Sequence, residues 1–127
     1  MKILLDTHVV VWWLDAASRL SKRAAALLAN RDNTILISAA VGWELAIKVS
    51  LGKFEPLSIL DDLDRLLERE EFSELPITLK MAVRAGLLPP HHRDPFDRML
   101  VAQAGELNIP ILSADAILDR YDVRRLW

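Results

Sequence analysis

Three short apolar runs constrain this chain more than any other feature of it. Lys2–Leu5, Thr34–Ser38 and Pro110–Ser113 each span four or five residues, the length and side-chain type of strands buried inside a parallel sheet. The segments between them read as helices. Val9–Leu14 is apolar throughout, Ser21 is placed to cap a helix running to about Asn30, and Ala40–Leu51 is stopped by Gly52. Ile59–Glu71 repeats Leu60, Leu63, Leu66 and Leu67 at helical spacing with charges on its other face. Thr78 caps a helix ending at Gly86, and a loop from Leu87 to Arg93 feeds a last helix over Pro95–Leu107. Leu75–Ile77 and Val123–Trp127 are candidates for two further strands. Strands alternating with helices predict an α/β fold, with a mainly parallel central sheet of four or five strands flanked by helices.

At 127 residues and 52% hydrophobic, the chain has material for a single domain over 1–127. It contains no cysteine, which excludes a disulfide framework, a thiolate zinc site and a cysteine nucleophile. Asp6 interrupts the first apolar run too early for a signal peptide, and no apolar stretch approaches a spanning helix, so a cytoplasmic protein without membrane contact is expected. The net charge of −2 disfavours a nucleic-acid binder only at first sight. If four of the 18 acids are committed to a metal, 14 remain against 16 basic residues, of which 11 are arginine. Arginine is the better fork for phosphate.

Four acids sit where such a fold brings function together. Asp6 follows the first strand and Asp115 the last core strand, Glu44 rides the helix after the second strand, and Asp97 opens the last helix. Ligands of open α/β sheets gather beyond the carboxyl ends of the strands. Carboxylates crowded there repel, and a divalent cation relieves the repulsion. All-oxygen ligands favour Mg²⁺ or Mn²⁺, and the reaction such a site serves best is phosphodiester hydrolysis.

Each residue also has a plainer reading. Asp6 and Asp115 suit strand-end turns or caps, and Glu44 has Lys48 four residues on, a surface pair worth about 0.3–0.5 kcal/mol. Asp94 is placed to cap the last helix, with Pro95 at its first position and Asp97 favoured by the helix dipole. Thr7, Ser38 and Ser113 are candidates to orient the carboxylates or to cap helices. Arg93 and Arg98 are candidates to hold substrate phosphates or to pair with Asp94 and Asp97. His8 reads as packed or hydrogen-bonded, Asp119 as solvated, and His91 and His92 are not read as ligands. Trp12, Trp13 and Trp43 are too much indole for so small a core, so some of them are expected to line a partner-binding groove, with core filling as the competing view.

The stretches Leu4–His8, Ser38–Leu45, Asp94–Ala104 and Ile111–Asp115 together resemble the four acidic motifs of PIN-domain ribonucleases, in particular the VapC-type toxins of toxin–antitoxin pairs. The resemblance spans nearly the whole chain. It implies a three-layer α/β/α fold and a Mg²⁺- or Mn²⁺-dependent endoribonuclease acting on RNA. It further implies a homodimer, neutralised by a VapB-type antitoxin whose carboxyl-terminal segment crosses the active-site groove. By motif position the catalytic and metal-binding quartet falls on Asp6, Glu44, Asp97 and Asp115, with Asp94 as an extra acid of the Asp-Pro-Phe-Asp pattern. A receiver-type signalling module is the alternative, but it needs an acidic pair after the first strand and a late lysine, and no lysine follows Lys80. A binding module without chemistry predicts acids that tolerate replacement.

Overall fold

The computed structural model describes residues 1–53 and 56–127, with side chains described outside 54–60. Five strands form one sheet in the order β3-β2-β1-β4-β5, where β1 is Lys2–Leu5, β2 Thr34–Ser38, β3 Ser73–Leu75, β4 Ile111–Leu112 and β5 Arg125–Leu126. Every pairing is parallel. Among the described residues, six helices connect and cover them: α1 (Thr7–Asp15), α2 (Lys22–Ala29), α3 (Ala39–Ser50), α4 (Pro56–Glu68), α5 (Leu79–Leu87) and α6 (Pro95–Leu107). Among the described residues there are also two 3₁₀ turns, Ala17–Arg19 and Ala116–Arg120.

The central strands are apolar on both faces because both faces are covered. Ile3, Leu4, Leu5, Ile111 and Leu112 are fully buried, joined in the core by Ile35, Leu36 and Ile37. Each such side chain contributes about 1.5–3 kcal/mol through loss of apolar surface to water.

Helix ends follow their capping residues. Ser21 accepts from the Ala24 N–H at 3.0 Å, Thr78 from Met81 at 3.1 Å, and Asp94 from Phe96 at 2.8 Å. Gly52, just past α3, takes φ +75°, the left-handed turn that lets the carbonyls at a helix end find partners. Asn108 does the same service for α6 at φ 53°.

Several boundaries differ from the sequence reading. β3 lies two residues earlier than Leu75–Ile77, in register with β2 from Leu36↔Ser73 to Ser38↔Leu75; Pro76 has no N–H to extend the ladder. α1 begins at Thr7 rather than Val9, since its first turn is polar and invisible to an apolar pattern. α4 begins at Pro56, a residue suited to a first helical position, and ends at Glu68 rather than Glu71. In α4, Leu66 is buried and Leu63 and Leu67 are half-buried against the core, as expected; the side chain of Leu60 lies outside the described residues. Among the described residues, no helix is long and apolar enough to cross a membrane.

Candidate active site

The chain runs from β1 to β2 on one side and returns to β4 on the other side of β1, so the strand order reverses beside β1. A crevice opens past the carboxyl ends of strands at such a switch point. Asp6 and Asp115 leave the neighbouring strands β1 and β4 there, and the Asp6 N–H donates to the Leu112 carbonyl at 3.1 Å. Ser113 ties the two acids together. Its hydroxyl donates to Asp6 Oδ2 at 2.6 Å and accepts from the Asp115 N–H at 3.0 Å. Asp6 is buried, and its other oxygen, Oδ1, has no hydrogen-bond partner.

Glu44 enters from α3. The Thr7 hydroxyl donates to its Oε1 at 2.5 Å, and Lys48 Nζ lies 3.4 Å from its Oε2. The helix pair anticipated from the spacing therefore forms, with Glu44 itself buried rather than on the surface. Asp97, in the first turn of α6, completes the group. Burial, with the charges of Asp6, Asp94 and Glu44 added and His92 opposing, pushes its carboxyl up to about 7. Burial also raises Asp6, against the lowering effect of the Ser113 hydrogen bond. Asp97 thus lies in the fields of Asp6, Asp94 and Glu44, and Asp6 Oδ1 is a buried oxygen without a hydrogen-bond partner. An all-oxygen donor set with a surplus of negative charge fits a hard divalent ion.

The structure also places His92, unlike His91, among the acids. Its Nε2 lies 2.9 Å from Asp115 Oδ2 and 3.2 Å from Asp97 Oδ2. These three groups offer atoms within 4.8 Å of one another, a spacing compatible with a metal ion. No local pattern separates His92 from His91; the path of the loop does. The Tyr121 hydroxyl accepts from the His92 N–H at 2.9 Å and donates to the Pro89 carbonyl at 2.7 Å, turning His92 inward. His91 stays exposed, edge-on to the Tyr121 ring at 5.1 Å. His8 is exposed as well, with its ring tilted against Trp12 at 5.8 Å.

Arg98 is another correction. Its guanidinium donates to the carbonyls of Ala85, Gly86, Leu88, Pro89 and His92 at 3.0–3.4 Å. It closes the end of α5 and braces the loop, so it pairs with neither Asp94 nor Asp97 and is not free for phosphate. Arg93 is exposed and forms no ion pair among the described residues. Ser38 caps α3 through the Ala40 N–H at 3.0 Å, so of the three hydroxyls only Thr7 and Ser113 hold carboxylates. Asp119 is ion-paired with Arg125 at 2.9 Å instead of simply solvated.

The tryptophans divide. Trp12 and Trp13 are half-buried against the core, Trp12 lying 5.9 Å from Trp127 and under the Arg19 guanidinium at 5.2 Å. Trp43 is 63% exposed and meets Phe96 edge-on at 5.1 Å, one residue from Glu44 as Phe96 is from Asp97.

Fold and pocket thus define an α/β protein that gathers four carboxylates past the carboxyl edge of one parallel sheet. The PIN domain family model matches residues 3–124, and the chain belongs to the PIN-domain family. It is 32% identical over 116 residues to Ribonuclease VapC22 of Mycobacterium tuberculosis, covering 89% of this chain and 86% of that protein. The same fold is seen in VapBC2 from Rickettsia felis, solved bound to a DNA fragment from their promoter, with a TM-score of 0.72 at 20% identity over 99% of this chain and 98% of that one. FitAcB from Neisseria gonorrhoeae gives a TM-score of 0.69 at 21% identity, over 98% and 96% of the two chains.

Proposed function

We propose that this chain is a VapC-type toxin: a single-domain endoribonuclease, dependent on Mg²⁺ or Mn²⁺, that hydrolyses phosphodiester bonds of RNA. Asp6, Glu44, Asp97 and Asp115 are the residues that would hold the cation. The observation that carries the reading is the buried carboxylate of Asp6, whose Oδ1 has no well-formed hydrogen bond and feels only the weaker pull of the Thr7 and His8 N–H groups, in a pocket where burial and three neighbouring acids lift Asp97 to about 7. Such an arrangement is costly unless a cation completes it.

The chemistry supplied by a bound cation is polarisation of a phosphoryl oxygen and acidification of a water. The protein's own groups set the stage for it. Ser113 and Thr7 fix the rotamers of Asp6 and Glu44, so neither carboxylate need reorganise when substrate arrives. Lys48 balances part of the charge at Glu44. Asp94 spends one oxygen on the Phe96 N–H and holds the first turn of α6, hence Asp97, in place. The VapBC complexes among the structural neighbours support a VapB-type antitoxin as the partner that silences the protein; a homodimer is what the family resemblance implies, and the exposed Trp43 beside the pocket belongs to the partner-facing surface.

Asp6→Asn tests this. The variant should fold, melt near the parent and lose RNA cleavage by at least about a hundredfold, which is about 2.7 kcal/mol of transition-state stabilisation. EDTA should silence the parent and Mn²⁺ restore it. Cleavage retained by folded Asp6→Asn, or by the parent in EDTA, removes the proposal.

A further inference from the structure

His92 lies among the acids yet is built in a way that suits a donor and not a metal ligand. The backbone N–H of Asp94 donates to its Nδ1 at 3.1 Å. An imidazole nitrogen that accepts a hydrogen bond carries no proton, so the remaining proton sits on Nε2. That Nε2–H faces Asp115 Oδ2 at 2.9 Å and Asp97 Oδ2 at 3.2 Å, one donor shared between two carboxylates. A nitrogen holding a proton has no lone pair for a cation, and moving the proton to Nδ1 would set it against the Asp94 N–H. The ring is not free to turn away either. Tyr121 takes the His92 N–H and Arg98 the His92 carbonyl, anchoring the backbone on both sides of the side chain.

We propose that His92 is a positioning residue: a hydrogen-bond clip that draws the carboxylates of Asp97 and Asp115 together for a divalent cation, without ligating it. Each clipped oxygen keeps a second lone pair, so the clip and a cation can share a carboxylate. The clip also couples the two sides of the pocket, since Asp97 comes from α6 and Asp115 from the turn after β4. The inference rests on the proposed metal-dependent reading of the pocket.

The test uses the full chain with His92→Ala and His92→Gln, the latter keeping an N–H donor on a side chain of similar reach. Three measurements are needed: Mn²⁺ affinity by titration calorimetry, pulsed electron paramagnetic resonance of bound Mn²⁺, and proton–nitrogen correlation of the imidazole rings in the metal-free protein. The ring of His92 is identified by its absence from the variants. His92→Ala should weaken Mn²⁺ binding about tenfold or more, the usual scale for losing a group that orients a ligand. His92→Gln should recover to within a few-fold of the parent, no imidazole nitrogen should couple to Mn²⁺, and the metal-free ring should carry its proton on Nε2.

Unchanged affinity in His92→Ala overturns the clip. So does a Gln variant as weak as Ala, an imidazole coupling to Mn²⁺ that His92→Ala removes, or a proton on Nδ1. Asp97→Asn separates the two levels. If it binds Mn²⁺ as the parent does, the metal reading of the pocket fails; if it does not, while His92→Ala binds normally, only the clip fails.

Discussion

Replacing Asp97 with asparagine should make the metal-free protein more stable. Burial, then the like charges of Asp6, Asp94 and Glu44, move this carboxyl from 3.8 to about 7. A displacement of roughly three pH units corresponds to about 4 kcal/mol against the ionised form in the folded state. The side chain is 17% exposed, so water screens part of this and about 2 kcal/mol is the working figure. Between about pH 4 and 7 the folded protein holds a proton that the unfolded chain has released. Stability therefore falls as pH rises through that window, and the full penalty is present above about 7. Asparagine removes the charge but keeps an oxygen to accept from His92 Nε2, 3.2 Å away in the parent. For a domain of this size, about 2 kcal/mol is roughly 5–8 °C in Tm. Calorimetry in EDTA should find Asp97→Asn melting that much above the parent near pH 8, with the gap closing towards about pH 5. Mn²⁺ should raise the melting temperature of the parent and leave the variant unmoved. The reasoning is refuted if the variant melts at or below the parent near pH 8 in EDTA, or if the gap is the same near pH 5.

Arg98 and the tryptophans give two further expectations. Arg98→Ala strands several carbonyls at the end of α5 and in the loop, and should cost about 2–4 kcal/mol in denaturant unfolding. Arg98→Lys should recover little of it, because an ammonium cannot reach five carbonyls with a planar fork; full recovery would mean that charge alone matters. Trp12→Ala should cost about 2 kcal/mol through lost packing, whereas Trp43→Ala should fall within about 0.5 kcal/mol of the parent. Equal costs for the two would contradict their different burial.

Much of this protein was legible without coordinates because its local signals agree with its global ones. Apolar runs at Ile3–Leu5, Ile35–Ile37 and Ile111–Leu112 have no stable place except a doubly covered parallel sheet, and Ser21, Thr78 and Asp94 sit at helix starts that their own side chains create. Acids that end buried strands at Asp6 and after Ser113 announce a pocket, since a carboxylate there must meet a partner or a cation. The reading failed where an outcome depended on a distant donor. Two adjacent histidines are indistinguishable in sequence; Tyr121, 29 residues beyond His92, chooses which of them faces the acids. Arg98 looks like a phosphate fork beside Asp97 until α5 ends within its reach. Glu44 satisfies a surface pairing rule with Lys48 and is nonetheless buried against Thr7, 37 residues away. Periodicity and capping act over a few residues, and they determined the elements, their order and the acids at their ends. Hydrogen bonds between strangers in the chain exist only once the sheet has closed, and the tertiary structure alone decided which side chains those acids would answer to.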